Sequence, residues 1–267
     1  MRSVSEGPLD RILEHEAGDL TCTVEAEIRL SALNAALAPH GQMLALDAPG
    51  DPTIGACLLE NLSGPRRHRY GTMRDLVIGA TVVLPDGTVA SSGGKVVKNV
   101  AGYDLAKLFC GSRGRLGRAV RLSLRLHPLP EASATVVAPP DAEAALAVLR
   151  STLVPSAVDI HWPDRLALLF EGSKRAVAAQ VEQAKSMLAH SLEARPDDED
   201  WGEAAGRQLS SRGRRLFRPA ELADVLASEE QAVVRVGAGV AYVPHAVPDP
   251  RDPAEIALAE RIAAAFA

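Results

Sequence analysis

Twelve of the chain's 21 glycines fall between Gly50 and Gly117, threaded among short apolar runs. Glycine loses more backbone entropy on folding than any other residue. Such density therefore marks main chain that must turn sharply or approach another group closely. Two blocks carry it, TIGACLLENLSGPRRHRYG (Thr53 to Gly71) and GGKVVKNVAGYDLAKLFCGSRGRLG (Gly93 to Gly117). Backbone N–H groups freed by glycine turns make concave anion sites, so the blocks read as two walls of a pocket for a large, phosphate-bearing ligand. Neither common phosphate loop is present: there is no G-x-G-x-x-G after a first strand and no G-x-x-x-x-G-K-[ST].

Charge and composition narrow the partners. A net charge of −5 leaves no basic face for releasing phosphate counterions, which argues against nucleic acid as a partner. With aromatics at 3%, an RNA-stacking platform is also excluded. No run of about 18 apolar residues predicts a spanning helix, and Glu6 and Asp10 interrupt any apolar leader. Cys22, Cys57 and Cys110 lie far apart with no C-x-x-C pair, and read as reduced, buried thiols in a cytoplasmic protein. No H-E-x-x-H or comparable set indicates a metal.

Periodicity then orders the elements. Leu20 to Glu25 alternates as a strand, Leu30 to Leu37 has helical spacing, and Gly41 suits a helix C-terminal cap. Asp75 to Leu84 predicts a strand, followed by an Asp86-Gly87 turn and a return strand from Thr88. Asn99 to Phe109 reads as a loop entering a short helix, and Ala119 to Leu126 as one more strand before Pro128-Leu129-Pro130. After Pro130 glycine thins out. Strand (Ser133 to Val137), helix (Ala142 to Leu153), strand pair (Ala157 to Trp162, Leu166 to Phe170) and helix (Lys174 to Leu192) give most of a ferredoxin-like split βαβ unit. The acidic stretch Glu193 to Gly206 predicts an exposed loop. Two short strands, Ala232 to Val236 and Val240 to Val243, and a helix from Pro253 complete the chain.

The two glycine blocks, KNVAGYDLAKLF above all, resemble the flavin-binding domain of the vanillyl-alcohol-oxidase or p-cresol-methylhydroxylase (PCMH) type, in particular its glycolate-oxidase-type FAD-binding subunits. The likeness covers Leu9 to Pro130. It implies an α+β fold in which residues 1–130 form a PCMH-type domain, mainly its second subdomain without the first, followed by a ferredoxin-like α+β cap over residues 131–267. It implies FAD as cofactor. Pro49, Thr53, Ile54, Gly55, Asn61, Ser63 and Gly64 would line the pyrophosphate and ring side, with Tyr70, Gly71 and Asp75 along the same wall. Gly102, Tyr103, Asp104, Leu116 and Gly117 would close the other side. The implied reaction oxidises a small 2-hydroxy acid by hydride transfer to the flavin, within a complex of flavoprotein and iron–sulfur partner subunits, in the cytoplasm or peripheral to a membrane through that complex.

Departures from the family pattern stand beside it. Ala56 replaces a glycine, Glu60 a small residue, and Arg115 and Arg121 stand where Thr and Glu are usual. The P-x-G-G-G-T-like loop of a first subdomain and a D-P-x-G-x-x-N-P-G-R ending are not found. These favour the alternative of a non-catalytic scaffold of the same fold. The run Arg66, Arg67, His68, Arg69 is either a solvated loop or the source of one arginine for a pyrophosphate or substrate carboxylate. Lys98 is a weaker candidate of that kind, Lys95 reads as surface, and Asp104 would also cap the helix after it. His161 and His245 are the candidate bases, weighed against ordinary structural roles.

Overall fold

The computed structural model describes residues 8–94, 106–188, 193–195, 199–248 and 253–265. The elements, in chain order, begin with β1 (Ile12–Glu16), β2 (Thr21–Glu25), α1 (Leu30–Leu37), β3 (Gln42–Met43), α2 (Ile54–Glu60), α3 (Arg67–Tyr70) and α4 (Met73–Leu76). Then follow β4 (Val77–Val83), β5 (Val89–Gly93), α5 (Ala106–Phe109), β6 (Arg118–Arg125) and β7 (His127–Pro128). The later part holds β8 (Ala132–Ala138), α6 (Ala142–Arg150), β9 (Ala157–Trp162), β10 (Arg165–Gly172), α7 (Lys174–Met187), β11 (Glu193–Arg195) and α8 (Glu199–Ser210). It ends with β12 (Gly213–Leu216), α9 (Leu222–Ser228), β13 (Ala232–Arg235), β14 (Val240–Val243) and α10 (Pro253–Ala265). Contacts divide the chain into two compact units: residues 1–63, 71–129 and 251–267 form the first, residues 64–70 and 130–250 the second.

In the first unit, β1-β2-β6-β4-β5 make an antiparallel sheet. The pleat sends alternate residues to opposite faces. Cys22 and Val24 of β2, Leu122 and Leu124 of β6, and Ala80 and Val82 of β4 enter the core, while Thr23, Ser123 and Thr81 take the other face. α1 covers the core face because Leu30, Leu33 and Leu37 fall on one stripe, all buried. Gly41, at φ 66°, closes the turn after it, as the sequence predicts. Ile54, Cys57 and Leu58 of α2 pack into the same core. Burial pushes the Cys22 and Cys57 thiols up to about 12, so both stay protonated at neutral pH.

Strand order in the second unit is β11-β8-β10-β9-β13-β14-β12, with every pair antiparallel. Its first four strands, β8, β9, β10 and β11, lie in the spatial order fourth, first, third, second, which is the ferredoxin-like arrangement. β13, β14 and β12 then extend that sheet. Val158 and Ile160 of β9, Leu168 and Phe170 of β10, and Val234 of β13 face a core closed by α6, α7 and α9.

Two sequence expectations change here. Of Glu193 to Gly206, expected as a loop, residues 193–195 form β11 and residues 199–206 belong to α8. Its charge misleads at Glu203, which pairs with Arg165 and Arg207, while Ala204 of the same helix is fully buried. The division of the chain also differs at two places from a break at residue 130. Residues 64–70 group with the second unit and residues 251–267 with the first.

Candidate functional site

The first glycine block folds as α2 and its flanks. Thr53 caps the helix, its Oγ1 accepting from Ala56 N at 3.2 Å. Ile54 N donates to Ile28 O at 2.9 Å, Gly55 N to Ala26 O at 2.6 Å, and Cys57 N to Thr53 O. All the amides at the start of this seven-residue helix are therefore engaged inside the protein, and none remains to receive a diphosphate. Gly55 is required for another reason. A Cβ there would lie 2.9 Å from Ala26 O, so glycine lets the helix start lie against the chain that leaves β2. Pro49 sits half-buried in the turn before it.

The next residues form a brace. Asn61, left-handed at φ 48°, ends α2 and accepts Arg74 N on its side-chain oxygen at 3.1 Å. Ser63 is buried. Asp75, expected along a cofactor wall, instead caps α4: Oδ2 accepts Thr72 N at 2.7 Å and Thr72 Oγ1 at 3.0 Å. Gly71, at φ 84°, fits because a Cβ would collide with the Asp75 carboxylate, 2.5 Å away. Gly64 and Tyr70 group with the second unit, apart from these.

Of the second block, Gly102, Tyr103 and Asp104 lie outside the described residues, as do Lys95 and Lys98. Leu116 is a core side chain. Gly117, at φ 141°, would place a Cβ 2.5 Å from Val83 O, so its role is the close crossing of β6 and β4.

The basic run serves an internal carboxylate. Arg66 sets Nε and Nη2 on buried Glu171, the latter at 2.7 Å, and Arg69 Nη1 donates to Glu171 O at 2.9 Å. His68 packs where a Cβ on Gly237 would stand, and burial lowers its pKa below 6.5. His161 and His245 are not brought together as a pair of bases. His245 is exposed beside Glu229, whereas His161 is 1% exposed, meets Trp201 edge to face at 5.7 Å, and has Nε2 without a hydrogen bond.

His161 belongs to a polar layer on the face of the second sheet opposite its core. Asp159 and Arg235 form an ion pair there, each 1% exposed, on paired positions of β9 and β13, and Gln208 of α8 accepts a further Arg235 hydrogen bond. Trp201 of α8 donates to Thr135 Oγ1 at 2.9 Å. Sequence reading missed this layer, although the charged residues inside VDIHW, LLFEG and VVRV were its signal.

Residues 3–93 match the family described as an FAD binding domain. The chain is 40% identical over 136 residues to the glycolate oxidase subunit GlcD of Bacillus subtilis, covering 49% of this chain and 28% of that protein. It is 32% identical over 177 residues to the glycolate oxidase subunit GlcE of Escherichia coli, covering 64% and 51%. With the mitochondrial D-lactate dehydrogenase [cytochrome] 1 of Saccharomyces cerevisiae it shares 33% over 153 residues, 57% and 26%. The chain thus spans between about a quarter and a half of the length of these relatives. Among solved structures, an alkyldihydroxyacetonephosphate synthase superposes with a TM-score of 0.62 at 18% identity, over 73% of this chain and 43% of that one, a likeness of fold. The match and the likeness of fold agree with the expected flavin-binding fold and with FAD as its cofactor. Against that cofactor the start of α2 does not fit as a diphosphate cradle, because its donors are already used.

Proposed function

We propose that the chain is an FAD-binding component of an oxidoreductase acting on a small 2-hydroxy acid of the glycolate or D-lactate kind, working with a partner subunit. The observation that carries the reading is the FAD binding domain match over residues 3–93. The names of the relatives add the substrate class and the word subunit. FAD, when bound, would supply the redox chemistry. The chain's own contribution at the residues named above is shape: Gly55 and Gly117 allow close approaches of backbone, and Gly71 makes room for the Asp75 carboxylate. Asn61 and Ser63 are proposed to face the cofactor from that wall. The iron–sulfur character of a partner and a cytoplasmic location stay part of the proposal. Among the described residues no helix is long and apolar enough to cross a membrane.

A second reading, a scaffold of the same fold without tight flavin binding, draws on the engaged amides of α2. One titration separates the two. The purified chain, alone and with a candidate partner subunit, is mixed with FAD and then with glycolate or D-lactate under exclusion of air. Uptake of flavin absorbance and its bleaching by substrate are expected. Absence of uptake in both preparations overturns the enzyme reading in favour of the scaffold.

A further inference from the structure

The face of the first sheet that turns away from the core carries a pocket of about 220 Å3, lined among others by Thr23, Thr81, Ser91, Arg121 and Ser123. All lie within the first unit. Gly79 of β4 pairs with Gly93 of β5, so neither member of that pair puts a side chain over that end of the face. The pocket therefore has a floor of backbone and walls of hydroxyls.

The donors in it are unusually uncommitted. Thr23 Oγ1 and Ser123 Oγ lie 3.0 Å apart, as do Thr81 Oγ1 and Ser91 Oγ. In each pair one hydroxyl donates and the other accepts, so each pair keeps one proton that is not used within the pair. Arg121 stands on β6 in register with Thr81 on one side and Glu25 on the other. Its Nε is buried and has no hydrogen-bond partner among the described residues. Glu25 does not neutralise it fully. That carboxylate is wholly buried and already accepts Nε, Nη2 and the backbone N of Arg11, each at 3.1 Å. Two guanidinium groups thus share one carboxylate, and one positive charge is left over. An anion in the pocket would meet this incompletely balanced guanidinium charge, and charge-assisted hydrogen bonds to a guanidinium are among the stronger ones.

We propose that this pocket binds a phosphate group, the Arg121 guanidinium supplying the charge and the two remaining hydroxyl protons supplying donors at either side. A tetrahedral dianion accepts from several directions at once, which suits donors spread over four strands better than a planar carboxylate does. The phosphate would come either from a free phosphate or from the diphosphate of a dinucleotide. Only the second source rests on the function proposed above.

The test is calorimetric titration of the full chain with inorganic phosphate and, separately, with FAD, for wild type, Arg121→Gln, Arg121→Lys and Ser91→Ala. Thermal melts check that each variant folds. At least one of the two ligands is expected to bind with an affinity that falls about tenfold or more in Arg121→Gln, less in Arg121→Lys, and about two- to fivefold in Ser91→Ala. Dependence seen with inorganic phosphate assigns a free phosphate, and dependence seen with FAD alone assigns the cofactor's diphosphate. Binding of neither ligand, or binding unchanged in folded Arg121→Gln, overturns the proposal. Arg121-dependent phosphate binding by a chain that takes up no FAD, alone or with a partner subunit, sinks the flavin reading and leaves this site standing.

Discussion

Both units lay one face of an antiparallel sheet on a hydrophobic core and leave the opposite face polar, yet they finish that face differently. In the second unit the chain supplies its own partners: Asp159 meets Arg235, Glu171 meets Arg66, and Trp201 of α8 covers His161 and Thr135. In the first, Glu25 pairs with Arg11, while among the described residues nothing accepts from the Nε of Arg121 and each of two hydroxyl pairs keeps a proton not used within the pair. A polar face closed by its own ion pairs has become part of the core. One that keeps unpaired donors is shaped for something else, and that difference locates the candidate site more sharply than glycine density did.

The strongest way to break this comparison is Asp159→Asn. It leaves Arg235 charged and buried without its counter-ion, and about 3–5 kcal/mol of the second unit's stability should vanish in urea unfolding. The paired replacement Asp159→Leu with Arg235→Met should recover most of that. Loss equally large in the pair would mean the layer does more than fill space. Next in size, Gly93→Ala should cost about 2–3 kcal/mol, because its Cβ would sit 2.2 Å from Ile78 O at φ 78°. Gly87→Ala has a similar φ of 83° but open space around it, and should cost only about 1 kcal/mol. Equal losses would show that backbone strain, rather than the strand crossing at Gly93, decides the glycine.

A smaller effect follows from His68. Burial lowers its pKa below 6.5, with the Asp159 charge opposing, so the folded ring stays neutral where the unfolded ring takes a proton. Below 6.5 the unfolded state then binds more protons, and stability falls as pH drops through that value towards the folded pKa. Thermal melts from pH 7.5 to 5.5 should show this slope in the second unit, and His68→Gln should flatten it. Smallest of all, Arg121→Gln should change the first unit's melting by no more than about 0.5 kcal/mol, since it removes a cation that no protein group fully pairs. A large loss there would make Arg121 structural.

Much of the fold was written in local pattern. Leu30, Leu33 and Leu37 mark α1, the alternation of AVRLSLRL marks β6, and the strand-helix spacing after Pro130 gives the ferredoxin-like core, because burial on one face imposes a period that needs no distant partner to be seen. The α8 helix escaped notice, since Glu203 finds its cation partly on another element, Arg165 of β10, besides Arg207 one turn on. The site shows the same boundary. Sequence alone determined that the stretch from Gly50 to Gly117 needs glycine, and that the residues match a flavin fold. Tertiary structure decided what those glycines serve, and which polar groups stay free. Whether an amide or a guanidinium has a partner depends on chain brought from far along the sequence: Ala26 and Ile28 take the α2 amides, and no described group takes the Nε of Arg121.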